Sequence, residues 1–171
     1  MQGKHHANEM YIGKWLLLVF HRHLNWLPCR RHLLQLQQRS NELTRRGVEV
    51  LIVTFETPTQ ARDYMLETGC TWPVVSDQTR HLFYMYGMRR AKLRHLWGWA
   101  TVKAYFGEAR RGYWPRWPVS DTKQQGGDVL IDPDGMIDFV HVGLGPADRP
   151  SVGDILSRVG NGDKTSNTIR L

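Results

Sequence analysis

The longest apolar run in the chain is Trp15-Leu-Leu-Leu-Val-Phe20. A continuous run of that length suits a strand buried on both faces of a parallel or mixed sheet. A polar segment, His21 to Leu27, separates it from Pro28, which suits the first turn of a helix because no N–H is needed there. From Pro28 to about Arg46, Leu33, Leu36 and Leu43 fall on one helical face, separated by Gln and Arg. Gly47 stops that helix, and Arg45 and Arg46 complement the dipole in its last turn. Val48 to Phe55 is a second apolar, β-branched run. Strand, helix and strand in this order predict a βαβ unit with parallel strands and a right-handed crossover.

Thr57-Pro58 opens a further helix through Thr68, ended by Gly69. Trp72-Pro-Val-Val75 is read as a short strand, and Ser76-Asp77 as the cap of a helix through Tyr86. Residues 88–118 break the pattern, with eight Lys or Arg, seven aromatic residues and one acid, Glu108. Gly126-Gly127 then precedes Asp128 to Ile131, and Asp132-Pro-Asp-Gly135 predicts a hairpin turn into Met136 to Val142. Pro146 to Val159 reads as a last helix, with Pro150 near its true start. The order β, α, β, α, β, α, insert, β-hairpin, α predicts an α/β chain of thioredoxin-like topology. In it a mixed central sheet is flanked by helices, with a basic aromatic insert before the C-terminal β-hairpin. The expected organisation is a flexible leader over 1–13, one domain over 14–159 with the insert at 88–118, and a disordered tail over 160–171.

Length and composition agree with one domain: 171 residues, 41% hydrophobic and 23% charged. The formal net charge of +7 suggests acidic partners, but no nucleic-acid motif accompanies it, so no nucleic acid is expected. No apolar run reaches membrane-spanning length, and residues 1–11 hold no apolar signal core. Only two cysteines are present, which excludes a disulfide scaffold. The chain is therefore read as cytoplasmic, in a compartment that keeps thiols reduced.

The candidate chemistry centres on Cys29. A cysteine just after a buried strand, in the first turn of a helix, sits at the positive end of the helix dipole. Free backbone N–H groups there favour a thiolate, the form that peroxide reduction or disulfide exchange uses. Arg22, Arg30 and Arg31 add positive charge, and Arg22 is the best companion, able to hydrogen-bond peroxide oxygens. The bland alternative is a small buried hydrophobe.

The stretch Val19-Phe-His-Arg-His-Leu-Asn-Trp-Leu-Pro-Cys-Arg-Arg31 resembles the active-site segment of the peroxiredoxin-like AhpC/TSA antioxidant branch of the thioredoxin-fold superfamily. The resemblance continues through Thr71-Trp-Pro-Val-Val-Ser-Asp77, Tyr84-Met-Tyr-Gly87, Gly126 to Gly135 and Gly145 to Ser151. It implies a thioredoxin-fold oxidoreductase that consumes peroxides or handles thiols, with Trp26, Pro28 and Arg30 as neighbours of Cys29. Cys29 matches the second cysteine of the Cys-x-x-Cys pair found in many relatives, and Trp26 stands in place of the first. A local dithiol cycle is thereby ruled out. Cys29 would react alone, giving a sulfenic acid resolved by an external thiol or by Cys70. Cys70 lies in a loop that this topology sets away from the Cys29 helix start.

His21, His23 and His32 surround Cys29 in sequence, but their spacing matches no zinc motif, so neither metal nor other cofactor is expected. A histidine base for Cys29 would need geometry. His5-His6 is too small a set for a metal shell. Asp132 and Asp134 are explained by the turn, and Asp148-Arg149 reads as a helix cap. The expected function is therefore hydroperoxide reduction through Cys29 with an external thiol reductant, on a peroxide or small thiol substrate. The alternative is a redox-inactive protein binding a membrane surface or partner through Trp97, Trp99 and the rest of the insert. Nothing in the sequence fixes an oligomeric state.

Overall fold

Strand β1 (Trp15–His21) forms from the unbroken apolar run and occupies the centre of a five-stranded sheet. The computed structural model describes residues 11–24, 27–90, 123–145 and 147–159. On one side of β1, β2 (Val48–Thr54) and then β3 (Val74–Ser76) run parallel to it. On the other side, β4 (Gly127–Ile131) pairs antiparallel with β1, and β5 (Ile137–Val142) pairs antiparallel with β4. The βαβ unit and terminal hairpin anticipated from the pattern are both present, and the fold is the mixed α/β sheet that the residue pattern implied.

The helices differ from the sequence reading in instructive ways. The helix expected over 28–46 is two: α1 (Leu27–Gln38) and α2 (Ser40–Arg45). Arg39 breaks the ladder at φ −110° and ψ 18°, and its backbone N–H reaches only back to Leu36 O at 3.0 Å. Its side chain forks onto Glu42 at 2.9 and 2.6 Å. Helix α3 (Pro58–Thr68) matches the expected bounds. Thr57 and Gln60 form a capping box, and Gly69 ends the helix in the left-handed region at φ 62°.

Strand β3 begins two residues later than expected, at Val74 rather than Trp72, because Pro73 has no N–H for the ladder and contributes only its carbonyl, to Ile52. Helix α4 (His81–Met85) is shorter than the reading from Ser76. Asp77 does cap it, but across a turn, accepting from the N–H groups of His81 at 3.0 Å and Leu82 at 2.8 Å. Helix α5 (Val152–Arg158) starts after Pro150, with Ser151 and Asp154 as its capping box. Gly135 takes φ 82° in the hairpin turn, as the Asp-Pro-Asp-Gly sequence demands.

Alternate residues of β1 serve two cores, as the pleat dictates. Leu17 and Val19 pack with Leu33 and Leu36 of α1, Ala61 and Tyr64 of α3, and Ile155 and Leu156 of α5. Leu18 and Phe20 face the opposite way, against Val53, Val129, Phe83 and Met88. Met88, where the expected insert begins, is core: Gln124 Nε2 donates to its carbonyl at 3.0 Å, and Arg90 bridges to Gln124. Residues 91–118, with Trp97 and Trp99, lie outside the described residues, as do Trp26, His5-His6 and the 160–171 tail.

Candidate active site

The C-terminal end of β1 and the N-terminal end of β4 meet, with Phe20 opposite Gly127. That end of the sheet collects buried polar residues: His21, Arg22, His23, His32, Thr54, Glu56, Gln124 and Asp128. Unpaired polar groups are costly in such a place, so their partners define what the site can do.

Cys29 lies in the first turn of α1, just beyond β1, and is 1% exposed. It is a free thiol, as is Cys70. The Arg149 guanidinium lies within electrostatic reach of Cys29. The same guanidinium donates to Gly127 O at 2.7 Å, to Asp128 Oδ2 at 3.0 Å and to Phe20 O at 2.7 Å. Arg149 is thus no helix cap; Ser151 caps α5, while Arg149 reaches back across the sheet end to the sulfur. Burial works against its charge, but Asp128 and Cys29 outweigh it and raise its pKa.

Asp128 is fully buried between His32 and Arg149. Its Oδ1 lies 2.8 Å from His32 Nε2 and its Oδ2 accepts from Arg149. Burial alone would push its carboxyl up. His32 and Arg149, as charges and hydrogen-bond donors, instead hold it well below the usual carboxylate range.

Arg22 is also buried and also feels the Cys29 charge. Its Nε donates to the carbonyl of Gln124. Burial lowers its pKa to about 10, which leaves it charged at neutral pH. Arg30, by contrast, turns toward α3: its guanidinium lies 5.6 Å from the centre of the Tyr64 ring and 3.6 Å from Glu67. Arg31 is exposed. The three histidines diverge, His32 to Asp128, His23 to Glu56 at 3.5 Å and His21 onto the Tyr64 ring at 5.5 Å. Among the described residues no group of three His, Cys, Asp or Glu side chains comes together as a metal shell.

Cys70 sits elsewhere. Val74 of β3 is level with Ile52 and hence with Val19, and Cys70 precedes Val74 by four residues. It therefore lies toward the N-terminal end of β3, whereas Cys29 follows the C-terminal end of the parallel β1. Burial raises the Cys70 thiol pKa, and Tyr64 lies within electrostatic reach of both sulfurs.

Gly126 makes room for this arrangement. A Cβ on Gly126 would come 2.5 Å from Phe20 O and 2.7 Å from Arg149 Nη2. Gly126→Ala is expected to displace Arg149 and to destabilise the fold by about 1–3 kcal/mol. Urea unfolding checks the second effect, and slower Cys29 oxidation by peroxide at an unchanged circular-dichroism spectrum checks the first.

His21 offers a pH test. Its ring is wholly buried, neither nitrogen has a hydrogen-bond partner among the described residues, and its pKa is lowered by burial, then by Arg149, His23 and His32, against Asp128. The unfolded chain takes up a proton near pH 6.5 that the folded chain refuses. Stability should therefore be complete above about pH 6.5 and fall below it, by at most about 1.4 kcal/mol per pH unit from this group. Urea unfolding of wild type and His21→Asn between pH 5 and 7.5 should show the steeper loss in wild type; parallel curves would show that His21 protonates in the fold.

The model of the family described as AhpC/TSA antioxidant enzyme matches residues 35–144. The match starts after Cys29 and stops before Arg149, so it covers Asp128 and neither of the other two. No curated protein sequence matches the chain. Among solved structures, the reduced 2-Cys peroxiredoxin of Plasmodium vivax is 19% identical, with 88% of this chain and 78% of that one covered and a TM-score of 0.60. A cysteine-to-serine variant of PrxQ from Xylella fastidiosa is 15% identical, covering 89% and 77%, with a TM-score of 0.63. A thiol:disulfide interchange protein from Chlorobium tepidum is 19% identical, covering 90% and 85%, with a TM-score of 0.58. At these identities the likeness is one of fold, shared by peroxidase and disulfide-exchange proteins alike, so the chemistry has to be read from the site.

Proposed function

The chain belongs to the AhpC/TSA antioxidant enzyme family, and on that footing we propose that it is a thiol peroxidase working through Cys29 alone. The observation that carries this reading is the buried Arg149 guanidinium, anchored on Gly127 O, Asp128 and Phe20 O within electrostatic reach of Cys29. A fixed cation with N–H groups to spare suits a reaction in which negative charge moves from sulfur to oxygen. The Cys29 thiolate attacks the outer oxygen of a hydroperoxide, the O–O bond breaks, and the departing alkoxide takes a proton to leave as an alcohol. Cys29 is left as a sulfenic acid. One molecule of external thiol then forms a mixed disulfide and releases water, and a second regenerates the Cys29 thiol and leaves as part of a disulfide. Disulfide exchange between two cysteines of this chain is less well supported, since Cys70 lies toward the opposite end of its strand. Because Cys29 is enclosed, the reduction step requires the first turn of α1 to open to the incoming thiol.

The test is the second-order rate of Cys29 oxidation by hydrogen peroxide, followed by intact mass, beside its alkylation by iodoacetamide. A tuned site gives peroxide oxidation about a hundredfold faster or more than that of an ordinary thiol, with no matching gain in alkylation. Equal treatment of the two reagents would sink the proposal.

A further inference from the structure

A buried carboxylate at the start of a central strand is an expensive choice, since an apolar residue would fill the same place without desolvating a charge. Asp128 occupies such a place, wholly enclosed, and its two oxygens are divided between partners from different parts of the chain. Oδ1 meets His32 at 2.8 Å and Oδ2 meets Arg149 at 3.0 Å. His32 stands three residues after Cys29, one turn along α1, so the helix that presents the sulfur also anchors the carboxylate. Arg149 closes the circuit by standing within electrostatic reach of Cys29. Of its five N–H groups, three are committed to Gly127 O, Asp128 and Phe20 O, which leaves the others for the sulfur and whatever approaches it. Two of the three anchors are backbone carbonyls, which carry no net charge. The carboxylate alone among them supplies charge and a side chain whose loss would leave the backbone in place.

We propose that Asp128, braced by His32, is the positioning residue that holds the Arg149 guanidinium against the Cys29 sulfur. The proposal rests on the thiol-peroxidase reading only for which reaction it serves. Asp128 touches neither the sulfur nor the substrate in this arrangement and acts through Arg149.

The experiment is a double-mutant cycle on Cys29 reactivity with Asp128→Asn, Arg149→Met and the pair, each read with hydrogen peroxide and with iodoacetamide. Asp128→Asn is expected to slow peroxide oxidation by about tenfold or more, with alkylation changed less than threefold, and the double variant should be no slower than Arg149→Met. Additive losses, or peroxide oxidation within twofold of wild type in Asp128→Asn, would overturn the proposal. A merely structural role would instead raise alkylation as the sulfur becomes exposed. If Asp128→Asn does not fold, His32→Gln enters the same cycle, since it removes the brace and keeps the carboxylate. If wild-type Cys29 treats peroxide as an ordinary thiol does, the function fails, and the apparent Cys29 pKa, read from the pH dependence of alkylation in the same four proteins, still decides the positioning: non-additive shifts support it, and additive or absent shifts reject it.

Discussion

Cys29→Ser is expected to abolish thiol-dependent peroxide consumption, and Cys70→Ser to leave the first turnover within about twofold of wild type. The two residues share a side-chain chemistry and differ in everything around it. Cys29 begins a helix, beside Arg149 and within the field of Arg22. Cys70 follows the left-handed Gly69, packs in the apolar cluster with Leu33 and Leu36, and has its thiol pKa raised by burial. A serine hydroxyl at position 29 is both a weaker nucleophile and far less acidic, so no cation nearby rescues it. Hydrogen peroxide consumption with dithiothreitol as reductant, together with the intact mass of each variant, checks both halves. Loss of turnover in Cys70→Ser, with Cys29 still oxidised once, would mean that the two sulfurs meet after a rearrangement and that Cys70 resolves the sulfenic acid. Retained consumption in Cys29→Ser would move the chemistry away from Cys29 altogether.

Much of the frame was legible in the residues. An apolar run too short for a buried helix, a Pro-led helix and a second β-branched run allow little except a βαβ unit. Asp132 to Gly135 could hardly be anything but a turn. Boundaries were read less well where one side chain settled them. Nothing in the composition of residues 28–46 marks Arg39, whose fork onto Glu42 accompanies the break between α1 and α2. Nor does an Asp four residues upstream of a helix announce that it caps by way of a turn, as Asp77 does.

The site was half legible. Cys29 and Arg22 could be found because they lie within eight residues of each other at a strand-to-helix junction. Asp128 and Arg149 could not, because they come to Cys29 from about a hundred residues downstream and only the antiparallel pairing of β4 with β1 brings them there. Asp148-Arg149 read as a cap for a sound local reason, and tertiary packing overrode it. The usable signal was indirect: Gly126-Gly127 beside an acid in an otherwise apolar strand marks a place where something must pass close to the backbone. What passes there is Arg149.

Arg149→Met should therefore slow Cys29 oxidation by peroxide by about 10²- to 10³-fold, the usual cost of removing one preorganised donor from a site of developing charge. Methionine keeps the flexible stem and loses the guanidinium fork, so the bonds to Phe20 O, Gly127 O and Asp128 all vanish with the charge beside Cys29. Arg149→Lys should recover part of the rate, because an ammonium restores charge but cannot hold two carbonyls and a carboxylate in one plane. The loss should fall on peroxide and spare iodoacetamide, whose reaction does not shift charge onto an oxygen beside the guanidinium. Removing the cation also strands the Asp128 carboxylate with His32 alone, which should cost about 3–5 kcal/mol of stability in urea unfolding. Rates are therefore to be compared at temperatures where both proteins remain folded. Arg22 is the comparison: its Nε donates to Gln124 O, and it too feels the Cys29 charge. A larger loss from Arg22→Met than from Arg149→Met would exchange the roles of the two arginines and place the peroxide on the other side of the sulfur.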